Sequence, residues 1–89
     1  MNNDINEIRK EIDKIDESIV SLLGERQDLV KKIGKIKKSL NLASENKARE
    51  KKILDRLKQR ARKLNLDETF IGKVYEIILN NSKKVQNEK

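Results

Sequence analysis

The sequence predicts an all-α protein built from three helices, one long N-terminal helix and two shorter ones. The 89-residue chain contains no Pro and only three Gly, a composition typical of long helices joined by brief turns. Its apolar residues recur at alternating intervals of three and four, as they do on one face of a helix. Neither a repeat nor a flexible linker divides the chain, so residues 1–89 are expected to form a single domain.

The first helix is predicted to run from about Asp4 to about Leu40. A helix of that length extends about 55 Å, whereas a compact chain of this size has a diameter of about 30 Å. One end would project from a monomer, so we expect an intertwined helical homodimer with twofold symmetry. The apolar residues of this helix have the spacing of a coiled-coil seam and are Ile5, Ile8, Ile12, Ile15, Ile19, Leu22, Leu29, Ile33, Ile36 and Leu40.

The second helix follows a short polar break predicted at Asn41 to Glu45. Ser44 or Asn46 is expected to be its N-cap, because a short polar side chain can accept from the free backbone N–H groups of the first turn. Asn65 suits the left-handed position that ends a helix. The apolar face of this helix is predicted to comprise Ile53, Leu54, Leu57, Ala61 and Leu64.

The third helix is predicted to begin after Asp67, which is placed to be its N-cap. Leu66 and Ile71 have the spacing of a hydrophobic staple around that cap. The buried side of the helix is expected to continue through Phe70, Ile71, Val74, Tyr75, Ile78 and Val85.

The composition excludes several kinds of chemistry. With no Cys and no His, the chain has no disulfide, thiol nucleophile, imidazole base or usual set of zinc ligands. We find neither a signal peptide nor an apolar run long enough to cross a membrane, and expect a cytoplasmic protein. The net charge of +7 predicts an anionic partner.

Arg26 interrupts the apolar seam of the first helix. Burying an unpaired charge is costly, so the guanidinium pairs with a carboxylate, extends to solvent, fixes a helix register or faces a cavity that receives an anion. Lys37 lies eleven residues further on, within about 20° of the same direction and about 16 Å along the axis. Two cations on the same inward-facing line of the helix favour the last interpretation, a cavity that receives an anion.

The other two helices also place polar side chains on their inward faces. Glu50 begins the apolar line of the second helix, with Arg49 beside it, and Ser82 and Gln86 continue the buried line of the third. If Ser82 and Gln86 were the only such residues, fraying of the C-terminal turn would be a sufficient explanation for them. Polar groups on the inward faces of all three helices instead indicate a polar pocket.

Arg9 lies beside the seam and 17 residues before Arg26, about 25 Å along a rigid helix. It therefore reaches this pocket only from an antiparallel partner chain. A pocket of cations, an amide, a hydroxyl and one carboxylate suits an anion with two carboxylates and a hydroxyl. It can stabilise charge on an oxygen as a bond breaks, and Glu50 is a possible general base.

The ordered set of these residues resembles the all-α (AroQ-class) chorismate mutases over nearly the whole chain. No single element of the set is specific, but the order and the helix lengths match. The set is Ile8-Arg9-Lys10-Glu11-Ile12-Asp13, Asp16, Leu22-Leu23-Gly24-Glu25-Arg26, Gly34-Lys35-Ile36-Lys37, Arg49-Glu50, Ser82 and Gln86.

The resemblance implies the Claisen rearrangement of chorismate to prephenate, in the biosynthesis of phenylalanine and tyrosine, without a cofactor or covalent intermediate. It implies that Arg26 and Arg9 of the partner subunit clamp the two substrate carboxylates. Lys37 would contact a carboxylate and the ether oxygen, and Gln86 would donate to the same oxygen. Charge grows on that oxygen as the C–O bond breaks, so these donors act on the transition state.

The resemblance assigns supporting roles to the remaining polar residues. Glu50 would accept a hydrogen bond from the ring hydroxyl, Ser82 would assist with a carboxylate and Arg49 would line the pocket. Asn46 stands where many relatives have Asp, at a contact made largely through the main chain.

Three alternatives differ in class. An isochorismate pyruvate lyase resembles the mutases in fold and pocket, and its products distinguish it. A basic nucleic-acid-binding module would need more than one Phe and one Tyr for base stacking, and its cations would lie on an outer stripe. A coiled-coil adaptor predicts that Arg26→Leu is harmless. The sequence favours a small dianionic ligand, with no nucleic acid and no membrane as partner.

Overall fold

The computed structural model describes residues 4–43 and 46–87, which fold into three α-helices. Helix α1 spans Ile5–Ser39, α2 spans Lys47–Lys63 and α3 spans Glu68–Asn87. The predicted all-α class and the predicted order of one long and two shorter helices are confirmed. None of the three helices in the described ranges is long and apolar enough to cross a membrane.

Short polar side chains cap the helices where the sequence predicted them. The Asn46 side chain accepts from the backbone N–H of Arg49 at 3.1 Å, and the Asp67 side chain accepts from that of Thr69 at 2.9 Å. Ser44, the other candidate cap of α2, lies outside the described residues. Asn65 has a φ of 59°, which confirms the left-handed position after α2.

Helix α3 is the centre of the fold, because α1 and α2 both pack against it. Within the ranges that the structure describes, no Cα atom of α1 lies within 8 Å of a Cα atom of α2. The buried apolar residues are correspondingly few and come from all three helices: Val30, Ile53, Ala61, Leu79 and Val85. The single chain therefore has a thin core, in which each outer helix is held from one side only.

The N-terminal half of α1 is uncovered in the single chain. All described residues before Arg26 are exposed, including the seam residues Ile12 and Ile19. The chain extends 60 Å along its longest axis, and its radius of gyration is 16.8 Å, against about 12 Å for a compact chain of this length. Packing against α3 uses a different face of α1, on which Val30 and Gly34 are buried.

Helices α1 and α3 approach each other most closely at Gly34. A Cβ atom on this residue would lie 3.0 Å from both the Cα atom and the carbonyl oxygen of Gln86. Those are backbone atoms of α3, so a side chain larger than hydrogen requires the helices to move apart. Gly24, in contrast, has no atom within 4 Å of its ideal Cβ position.

We predict opposite effects on stability for alanine at these two glycines. Gly34→Ala should lower the free energy of unfolding by about 1 kcal/mol or more, because it forces α1 away from the end of α3. Gly24→Ala is the matched control and should raise it by up to about 1 kcal/mol through helix propensity alone. Urea unfolding followed by circular dichroism measures both. Equal stabilisation by the two substitutions would contradict the close approach.

Candidate active site

Residues from all three helices line one cavity of about 290 Å³. Its apolar wall comes from Val30, Ile33, Ile53 and Leu79. Eight polar or charged residues complete it: Arg26, Lys37, Asn46, Arg49, Glu50, Ser82, Lys83 and Gln86. Seven of the eight predicted site residues are thus brought together by the fold.

Arg26 is held in position by Ser82. The guanidinium of Arg26, on α1, donates to the Ser82 hydroxyl, on α3. Ser82 is buried, and its hydroxyl donates in turn to the carbonyl oxygen of Ile78 at 3.0 Å. Among the ion pairs of the described residues, none involves Arg26. The half-buried guanidinium therefore retains hydrogen-bonding capacity for an anion in the cavity.

Lys37 and Glu50 stand at the same cavity on different helices. Lys37 is half-buried on the last turn of α1, as the eleven-residue spacing from Arg26 predicted. Glu50 is half-buried on the first turn of α2, which Asn46 caps. A carboxylate in a first turn is also favoured by the positive end of the helix dipole. Arg49, next to Glu50, is exposed and lines the cavity edge.

Gln86 brings the end of α3 into the cavity. Its side-chain oxygen is buried and has no hydrogen-bond partner among the residues that the structure describes. A buried amide atom without a partner costs free energy, so such atoms are commonly found where a ligand completes the bonding. The position of Gln86 depends on Gly34, because their backbones are in close contact.

Arg9 is the one predicted site residue that the single chain does not bring to the cavity. It is exposed on the uncovered half of α1, and the helix places it about 25 Å from Arg26 along the axis. The role predicted for Arg9, at the site of a partner chain, stays a prediction.

Lys83 belongs to the cavity but was not predicted. Its ammonium lies 3.5 Å from a carboxylate oxygen of Glu50, and about a quarter of each side chain is exposed. The missed signal was Leu79, which is buried one helical turn before Lys83. The predicted buried line of α3 runs through Ile78 to Ser82 and Gln86, whereas a line through Leu79 passes through Lys83.

The cavity is strongly positive. Four cations line it, from Arg26, Lys37, Arg49 and Lys83, and Glu50 is its one lining carboxylate. The chain has no Cys and no His, so the cavity offers neither a thiolate nor an imidazole. Such a site binds a small polyanion, orients it and stabilises negative charge on one of its oxygens.

The fold and the site thus define a small all-helical protein with a cation-rich cavity suited to a polyanion. Residues 8–87 match the sequence pattern of the family 'Chorismate mutase type II', and the chain belongs to that family. This match confirms the prediction, made from the sequence, of an isomerase with chorismate mutase activity.

Three relatives illustrate the range of the family. The chorismate mutase of Methanocaldococcus jannaschii is 37% identical over 82 residues, which cover 92% of this chain and 83% of the relative. The bifunctional chorismate mutase/prephenate dehydratase of Buchnera aphidicola subsp. Acyrthosiphon pisum is 39% identical over 85 residues. That of Aquifex aeolicus is 40% identical over 72 residues. The matches cover 96% and 81% of this chain but only 22% and 18% of these two relatives.

We predict that Ser82→Ala weakens substrate binding without unfolding the protein. Loss of the hydroxyl frees the Arg26 guanidinium to rotate, and we expect a roughly fivefold to tenfold higher KM for chorismate, about the net contribution of one ordinary hydrogen bond. Ser39→Ala is the matched control, since the Ser39 hydroxyl also donates to a backbone carbonyl of its own helix but is exposed. An unchanged KM in Ser82→Ala would contradict the positioning of Arg26.

Proposed function

We propose that this protein is a homodimeric cytoplasmic chorismate mutase that converts chorismate to prephenate at two equivalent sites. The observation that supports it best is the cavity that contains Arg26 and Lys37. Arg26 faces the cavity without an ion-pair partner among the described carboxylates, and a dianionic substrate would neutralise the excess of positive charge. A chain without cysteine needs no oxidising compartment.

The reaction requires restraint and electrostatics only. Chorismate rearranges within one molecule when its side chain folds over its ring, so an enzyme accelerates it by selecting that conformer and stabilising the charge that develops. We propose that Arg26, oriented by Ser82, binds one carboxylate in a bidentate manner. Arg9 of the partner subunit would bind the other. The two guanidinium groups then hold the folded conformer.

The ether oxygen is the atom on which negative charge grows as its bond to carbon breaks. We propose that Lys37 and the amide of Gln86 donate to this oxygen from opposite helices, α1 and α3. The NH₂ of the amide would be the donor. The atom buried without a partner within the described chain is the amide oxygen, so this role requires the amide to turn its NH₂ toward the ligand. Donors placed before the reaction stabilise the transition state without reorganisation.

The first turn of α2 would bind the ring of the substrate. We propose that Glu50 accepts a hydrogen bond from the ring hydroxyl and that Arg49 lines the entrance. Asn46 would contribute through its main chain, while its side chain caps the helix. In this proposal Arg26, Lys37, Glu50 and Gln86 are the catalytic residues, and the reaction uses no cofactor and no metal.

The homodimer is proposed from the uncovered part of α1. Seam residues such as Ile12 and Ile15 are 49% and 59% exposed, and contiguous apolar surface of this extent indicates an interface. A second cavity, of about 320 Å³, adjoins Arg26 and Ser82 on the side of Leu23 and Ile77. An antiparallel second chain would cover this apolar surface and bring its Arg9 to Arg26.

We predict that purified protein consumes chorismate, and that Arg26→Ala and Lys37→Ala each lower kcat/KM by about a hundredfold or more, as loss of a charged contact to the transition state does. The fall in chorismate absorbance measures turnover. Circular dichroism and size-exclusion chromatography should show that both variants remain helical and keep the oligomeric state of the wild type.

Product analysis completes this experiment. Prephenate as the product supports the mutase, whereas pyruvate formed from isochorismate, with no prephenate from chorismate, would identify a lyase. Turnover like that of the wild type in either variant would contradict the proposed mechanism. A folded wild-type protein that consumes neither compound would contradict the proposed enzymatic function.

We predict that two inactive variants restore each other when their subunits are mixed. Arg9→Ala and Arg26→Ala homodimers should both be nearly inactive, because each lacks a cation at both sites. A mixed dimer has one site with both arginines and one site with neither. Statistical re-assembly from denaturant should therefore recover about a quarter of the wild-type activity. Each variant refolded alone is the control, and a mixture no more active than the two controls would contradict the shared site.

A further inference from the structure

The structure leaves one charged cavity residue without a role in the proposed reaction. Lys83, on α3, forms an ion pair across to Glu50, on the first turn of α2, with 3.5 Å between the ammonium and a carboxylate oxygen. Lys83 also lines the same cavity as Arg26 and Lys37. The pair is partly buried, with 28% of the Lys83 side chain and 25% of the Glu50 side chain exposed.

Glu50 presents an electrostatic problem in this cavity. It is the one carboxylate that lines the 290 Å³ space, and a dianionic substrate would bring two further carboxylates into the same cavity. Like charges that share a partly buried site repel one another. Glu50 can accept a hydrogen bond from the ring hydroxyl only if its own charge does not drive the substrate out.

We propose that Lys83 is a positioning residue that makes Glu50 compatible with a dianionic substrate. This inference rests on the proposed function. The ammonium compensates the charge of the carboxylate and holds one of its oxygens from the α3 side, which leaves the other oxygen for the ring hydroxyl. Lys83 therefore acts on the substrate through Glu50, and its contribution disappears when Glu50 carries no charge.

The fold explains why this pair can form. Glu50 begins α2 and Lys83 lies near the end of α3, and these two helices pack against each other. Lys84, the next residue, is exposed and does not line the cavity. The two adjacent lysines have the same intrinsic chemistry, so Lys84 is a control for every effect of charge that does not depend on the pair with Glu50.

Steady-state kinetics with chorismate, at fixed ionic strength, tests the proposal. Lys83→Met should raise KM about tenfold with a much smaller change in kcat, whereas Lys84→Met should leave both within about twofold of the wild type. Lys83→Arg should restore KM to within about threefold of the wild type, because it keeps the charge. Thermal unfolding of each variant shows whether it is folded at the assay temperature.

A double-mutant cycle tests whether Lys83 acts through Glu50. In the Glu50→Gln background, Lys83→Met should change KM by less than about threefold, because no carboxylate remains to be compensated. An equal loss in both backgrounds would overturn the proposal and indicate direct contact with the substrate. A Lys83→Met variant that binds chorismate as well as Lys84→Met would also overturn it.

These outcomes are separate from failure of the proposed function. If the wild type does not turn over chorismate, the proposed function is wrong, and the role of Lys83 that rests on it is wrong as well. If the wild type is active and Lys83→Met behaves as Lys84→Met does, the proposed function stands and the role of Lys83 is wrong. Should Lys83→Met fail to fold, Lys83→Gln in the same cycle gives the same comparison.

Discussion

The contact between α1 and α3 is the interaction on which the rest of the structure depends. At one end of this contact Gly34 lets the backbone of α3 approach closely at Gln86. At the other end the Arg26 guanidinium donates to the Ser82 hydroxyl. The same two helices therefore set the positions of a cation and an amide, on either side of the buried Val30. Small changes in this packing reach the site directly, because protein interiors transmit displacement.

The second constraint is electrostatic. Four cations and one carboxylate share a cavity of about 290 Å³, and their mutual repulsion is relieved when an anion binds. A cluster of like charges lowers the stability of the protein without its ligand, as is common at functional sites. Most of the other charged residues lie outside the cavity and need no functional explanation. Of the nine basic residues in the segment Lys47–Lys63, only Arg49 lines the cavity; most of the others are exposed, and Lys58 packs its side chain against Gly72 of α3.

Much of the fold and of the site was predictable from local sequence. Helix bounds followed from caps such as Asn46 and Asp67 and from the left-handed Asn65, because these preferences depend on a few neighbouring atoms. Arg26 was predicted because it interrupts an apolar seam, and Lys37 because a regular helix nearly repeats its direction after eleven residues. Lys83 was missed because its partner is 33 positions away and no local spacing connects α2 with α3.

The sequence by itself determined that the chain is helical, which faces of the helices are apolar and where cations interrupt them, since periodicity and propensity are properties of each helix alone. Only the tertiary structure decided which face of α1 packs on α3, that Gly34 and Gln86 meet, and that Glu50 pairs with Lys83. Those contacts join residues far apart in the chain, and they depend on the angle and separation at which helices cross, which many side chains set together.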